Sequence, residues 1–112
     1  MDSITVSAQD RAALAEFGRR ARAALGANLV DLRLFGSKAR GDAAADSDID
    51  VAVIVESADG SVQNQIINIA FDIDLAFDVY LSPRVIPAAV LQDPVWRLTG
   101  FVQALEREGV PL

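Results

Sequence analysis

The chain has 112 residues, 52% of them hydrophobic, and its 10 Lys and Arg against 16 Asp and Glu give a net charge of −6. It has no His and no Cys, which excludes disulfides, zinc fingers, thiol nucleophiles and imidazole catalysis, and leaves oxygen as the side-chain metal ligand, a set suited to Mg²⁺, Mn²⁺ or Ca²⁺. One domain over 1–112 with its own core is expected, in the cytoplasm and without membrane contact: the longest apolar run, Val51 to Val55, is far too short to span a bilayer, and Met1-Asp2-Ser3 is not a basic leader.

Ser7-Ala8-Gln9-Asp10 has the form of a capping box, and Leu14, Phe17, Ala21, Ala24 and Leu25 follow near helical spacing before Gly26, which predicts a first helix over about 8–25. Val30, Leu32 and Leu34 alternate with Asp31, Arg33 and Phe35, the period of a strand with one buried face, and this strand stops at Gly36-Ser37. A small, polar loop from Gly41 to Ser47 leads to Ile49, Val51, Val53 and Val55, a second strand at about 48–55. After the turn Ser57-Ala58-Asp59-Gly60, a second helix runs from Ser61 to about Ala76, with Val62, Ile66, Ile69, Ala70 and Ile73 three and four apart. Phe77, Val79 and Leu81 alternate with Asp78, Tyr80 and Ser82, which places a third strand at about 77–82, ended by Pro83. Pro87 and Pro94 bracket a short helix, and Trp96 to Glu108 reads as a closing helix stopped by Gly109 and Pro111. The fold class is α/β (α+β), a small mixed sheet of three or more strands flanked by helices.

The charge is unevenly spread. Residues 1–41 carry seven bases and four acids, net +3, whereas residues 42–93 carry ten acids and the single base Arg84, net −9. The overall acidity argues against direct nucleic-acid binding. The change of sign falls inside the most informative stretch, Leu34-Phe35-Gly36-Ser37-Lys38-Ala39-Arg40-Gly41, followed by Asp46-Ser47-Asp48-Ile49-Asp50-Val51. At a strand end, Gly36 lets backbone approach a ligand closely, and Ser37 opens a turn whose N–H groups can bind an anion, with Lys38 and Arg40 adding positive charge. It is not a P-loop, because Asp42 stands where that motif needs Lys. Asp48 and Asp50 are two apart in a strand, so both carboxylates share a face and repel unless a cation lies between them. An EF-hand reading fails for want of Gly and Glu at the required positions. A phosphate turn on one strand and a carboxylate pair on the next is the combination that metal-assisted phosphoryl chemistry requires.

Gly36-Ser37, ten intervening residues, then Asp48-Ile49-Asp50, with Ala39-Arg40-Gly41 and Ser47, resembles the signature of the DNA polymerase β-like nucleotidyltransferases. The short length, and the ending Glu106-Arg107-Glu108-Gly109-Val110-Pro111-Leu112, are similar to the minimal nucleotidyltransferases, the MNT antitoxins of HEPN/MNT toxin–antitoxin pairs. The resemblance implies the polymerase β-like fold, Mg²⁺ (or Mn²⁺) held by Asp48 and Asp50, and outer phosphates of a nucleoside triphosphate bound by Gly36 and Ser37 with Lys38 or Arg40 assisting. It also implies ATP as AMP donor and a tyrosine of a partner HEPN-type toxin as acceptor, hence an antitoxin acting by protein AMPylation. The family carries a third carboxylate as ligand and general base. Asp72, Asp74 and Asp78 compete for that place: Asp78, at the head of the expected third strand, is chosen, with Asp74 in reserve. The competing reading is a non-catalytic antitoxin that neutralises its toxin by binding; transfer to a small molecule such as an aminoglycoside ranks below both, since no separate substrate domain fits. Arg19, Arg20 and Arg22 read as a solvated helix face, Trp96 and Phe101 as core or a partner-facing helix surface, and Tyr80 as an ordinary strand residue.

Overall fold

A computed structural model describes residues 6–36 and 48–112. Ser7 caps helix α1 (Ala8–Leu25): its hydroxyl accepts from the Asp10 N–H at 3.0 Å while the Asp10 carboxylate accepts from the Ser7 N–H at 3.3 Å. Gly26 ends the helix at φ 53 and opens a 3₁₀ turn, Gly26–Asn28. Strand β1 (Leu29–Phe35) pairs antiparallel with β2 (Ile49–Val55). Asp59 caps α2 (Gly60–Phe77) by accepting from the Val62 N–H at 3.0 Å. Then come β3 (Leu81–Pro87), α3 (Ala88–Gln92), a 3₁₀ turn at Trp96–Leu98, α4 (Gly100–Glu108) and β4 (Val110–Pro111).

The four strands form one mixed sheet in the order β3-β2-β1-β4, antiparallel throughout except for the parallel β2–β3 pair joined by α2. Leu32 and Leu34 of β1 and Ile49, Val51, Val53 and Val55 of β2 point to one face, where Leu14 and Phe17 of α1 and Ile66 and Ile73 of α2 close the main core. The opposite face carries a smaller cluster, Ala52, Ile86 and Leu105 with Phe35, Val90, Leu91 and Phe101, so α3 and α4 cover only part of it.

Three expectations are corrected. The third strand lies at Leu81–Pro87, not 77–82, because α2 continues through Phe77 and Asp78 caps it in the left-handed region at φ 54, ψ 53. The period-two pattern of Phe77, Val79 and Leu81 spans a helix end and the start of a strand, and Pro83 does not stop the ladder, since β3 is an edge strand where a missing N–H can face outward at no cost. The closing helix starts at Gly100 rather than Trp96: the Thr99 hydroxyl accepts from the Val102 N–H at 3.3 Å and starts a new helix. Beyond it, Val110–Pro111 adds the unexpected strand β4 against Arg33 and Leu34.

Candidate active site

β1 delivers the glycine turn. Phe35 pairs with Asp50 across the antiparallel ladder, so the backbone leaving β1 runs directly past the Asp50 side chain. Gly36 sits at φ 77, and a Cβ there would overlap the Asp50 carboxylate, coming within 3.1 Å of its Cγ. Only glycine combines that backbone angle with that closeness. Gly36, the described residue of the expected phosphate turn, therefore packs against the second carboxylate of Asp48-Ile49-Asp50. Ser37, Lys38 and Arg40, the rest of the expected phosphate turn, lie outside the described residues, as does the loop from Gly41 to Ser47.

β2 delivers the aspartates. Ile49 and Val51 are fully buried in the main core, so strand alternation turns Asp50 to the opposite, partly open face, where it is half-buried. Asp48 is exposed just before the strand, and the Ile49 N–H beside it donates to the Tyr80 carbonyl at 2.8 Å, which clamps the start of β2 to the chain entering β3. In that parallel register Ser82 is level with Asp50 and Arg84 with Ala52, so both belong to the Asp50 face.

The candidates for a third carboxylate separate clearly. Asp74, in the last turn of α2, accepts from the Leu81 N–H through Oδ1 at 2.8 Å and so ties the helix end to the head of β3. Burial pushes its carboxyl above the ordinary carboxylate range; the Leu81 N–H opposes that rise and the negative charge of Asp48 adds to it. Asp74 thus lies within the electrostatic field of Asp48. Asp78 is exposed on the helix cap, its N–H donating to the Asp74 carbonyl and its own carbonyl accepting from the Gln9 side chain at 3.3 Å. The strand position that recommended it is absent. Asp72 is exposed, with Arg20 as a cation 3.9 Å away.

Two acids, Asp74 in the final turn of α2 and Asp78 at its cap, with no basic residue in that turn, oppose the helix dipole. That is a local cost which a bound cation would offset. Among the described residues no three potential ligands converge into a ready-made metal cage. Two aspartates that leave the remaining positions to phosphate oxygens and water are nevertheless the donor set Mg²⁺ takes beside nucleotides, and Asp48 and Asp50 fit it.

A group that sequence reasoning did not assemble lies on the same face. The Arg84 guanidinium sits 5.6 Å above the Phe101 ring, which meets Phe35 edge-on at 5.7 Å and 85°. Arg84 carries the only positive charge between residues 42 and 93, a signal that could have marked it, but its closeness to the Phe35 end of β1 depends on sheet order. Tyr80 and Trp96 are exposed, at 65% and 50%, rather than part of the core.

Comparison with known proteins agrees with this geometry. The nucleotidyltransferase domain family matches residues 18–91. A Methanocaldococcus jannaschii protein, provisionally named a protein adenylyltransferase, is 35% identical over 78 residues, 69% of this chain and 72% of the relative. Among solved structures, one provisionally described as a minimal nucleotidyltransferase superimposes with a TM-score of 0.58 at 21% identity, covering all of this chain and 97% of the other. A toxin–antitoxin crystal structure with AMP-PNP superimposes with a TM-score of 0.55 at 21% identity, over 85% of this chain and 68% of the other. These last two share the fold. Gly36, Asp48, Asp50 and Asp74 all fall inside the matched span, and the chain accordingly belongs to the nucleotidyltransferase domain family and is a nucleotidyltransferase.

Proposed function

We propose that the chain transfers AMP from ATP to a hydroxyl of a partner protein, a tyrosine of a HEPN-type toxin, and that this AMPylation makes it an antitoxin of the minimal nucleotidyltransferase kind, working in the cytoplasm as a single domain over 1–112. The observation that carries the reading is the packing of Gly36 against the Asp50 carboxylate, since the reading gives Gly36 to the phosphates and Asp50 to the metal. The protein adenylyltransferase name of the relative supports the acceptor class, and the toxin–antitoxin neighbour with its ATP analogue supports the donor and the partner.

In this reading the Gly36 backbone and Ser37 hold the outer phosphates, with Lys38 and Arg40 adding positive charge. Asp48 and Asp50 hold Mg²⁺ (or Mn²⁺), which when bound offsets charge developing on the transferred and leaving phosphates. Asp74, the reserve candidate, takes the third-carboxylate role in place of Asp78, since its bond to the Leu81 N–H holds it at the head of β3, where Leu81 pairs with Ile49 beside Asp48. The acceptor oxygen bonds to the α-phosphorus, the bond from that phosphorus to the bridging oxygen of the β-phosphate breaks, and pyrophosphate leaves. The hydroxyl proton passes to Asp74, whose raised proton affinity suits a base.

The test incubates the protein with radiolabelled ATP, Mg²⁺ and the product of the adjacent reading frame. Label should appear on that product and fall by at least about 100-fold in Asp48→Asn and Asp50→Asn, with unfolding temperatures unchanged. If both variants still protect cells from the toxin, catalysis is not the antitoxin mechanism and neutralisation by binding is.

A further inference from the structure

α2 carries apolar side chains on two sides and a polar face, Gln65, Asn68 and Asp72, on a third. One face, Val62, Ile66, Ala70 and Ile73, is buried in the core, while Ile67, Phe71 and Leu75, spaced four apart, stand 57%, 61% and 71% exposed in a line along the other. Large apolar side chains aligned along an exposed helix face mark a surface that another molecule covers. The stripe is also not isolated: Ile67, Phe71 and Asp74 of α2 and Leu81 and Pro83 of the edge strand β3 line one open hollow of about 190 Å³. Asp74 is the carboxylate bonded to Leu81 and within the field of Asp48. The apolar surface therefore runs up to the candidate active site.

Charge selects what covers it. α2 contains no Lys or Arg, and Asp72, Asp74 and Asp78 rim the active-site end of the stripe. The α2 of a second copy has no Lys or Arg to offer these acids, and an acidic rim is repelled by anionic lipid headgroups. A protein helix with an apolar face flanked by Lys or Arg satisfies both the stripe and its rim.

We propose that the acceptor protein docks on the Ile67–Phe71–Leu75 face of α2 through an apolar helix flanked by basic residues, and that this contact leads the acceptor hydroxyl to Asp48, Asp50 and Asp74. The proposal rests on the protein-acceptor reading above. Specificity then resides on α2, away from the reacting atoms.

The probes are two fluorescein-labelled synthetic helical peptides with the same Leu face, one flanked by Lys and the other by Glu. Fluorescence anisotropy should show the Lys peptide binding at least ten-fold more tightly than the Glu peptide. Phe71→Ser and Leu75→Ser should each weaken the Lys peptide about ten-fold while Mg²⁺–ATP affinity holds, and Asp72→Lys should narrow the preference between the peptides. Equal binding of both peptides, or full binding by both Ser variants, overturns the proposal. So does sedimentation that shows a wild-type dimer dissociated by Phe71→Ser. Failure of the AMPylation reading is distinct: label transfer is then absent, whereas α2 still discriminates the peptides.

Discussion

Gly36 holds the site together through what it lacks. Its φ of 77 and the absence of a Cβ let the Gly36 backbone lie on the Asp50 carboxylate. Gly36→Ala should cost about 1–3 kcal/mol through backbone strain, lower the unfolding temperature, and depress label transfer further than that loss explains, because Asp50 must move. The measurement is chemical denaturation beside the transfer assay. A second residue-scale effect is electrostatic. Hydrogen bonds from Arg19 and Arg20 lower the Glu16 pKa from 4.5 to about 2. A depressed folded pKa contributes stability above the unfolded value and loses it as pH falls through the folded value. Wild type should therefore exceed Glu16→Gln in unfolding temperature at pH 7, with the gap closing between about pH 4.5 and pH 2; a gap unchanged at pH 2 would contradict this. At this scale the sequence was informative where chemistry demands a residue type: a Gly at a strand end, and two Asp two apart. Asp74 was less legible as a candidate, because what distinguishes it from Asp78 is its bond to the Leu81 N–H, which only the folded chain brings to it.

Among the elements, α1, β1 and β2 follow their local signals closely, since a capping box and clean alternation each point to one conformation. The α2–β3 junction does not, because helix and strand periodicities overlap across Phe77 to Leu81 and the deciding interactions are tertiary: the Asp74–Leu81 bond and the β2–β3 ladder. Asp78 is the residue left in the left-handed region at the junction. Asp78→Gly should raise stability by up to about 1 kcal/mol, because glycine adopts that conformation freely and an acid is removed from a helix C-terminus. Transfer should stay within a few-fold of wild type in this variant and collapse in Asp74→Asn. The reverse pattern would return the third-carboxylate role to Asp78.

At the scale of the molecule, α1 and α2 close one face of the sheet and the face carrying Asp50 stays partly open, with α4 held against it by Leu105, which is completely buried beside Ala52 and Ile86. Leu105→Ala should cost about 2–5 kcal/mol, detected by denaturant unfolding, and should loosen the Phe35–Phe101–Arg84 group more than the α1–α2 core. The division of charge also acquires a spatial meaning, since the acids of the −9 segment include Asp48, Asp50 and Asp74. By itself the sequence narrowed the chemistry: with no His or Cys, imidazole and thiol catalysis are excluded, and the Gly-Ser and Asp-Ile-Asp elements single out the candidate site because reacting groups admit few substitutes. The tertiary structure decided that Asp74 is tied to the head of β3 while Asp78 caps the helix, that Arg84 shares the Asp50 face, and that α2 keeps an apolar stripe uncovered. Those relations depend on sheet order and on the parallel β2–β3 register, which arise from burial summed over the whole chain and leave no mark in any local pattern.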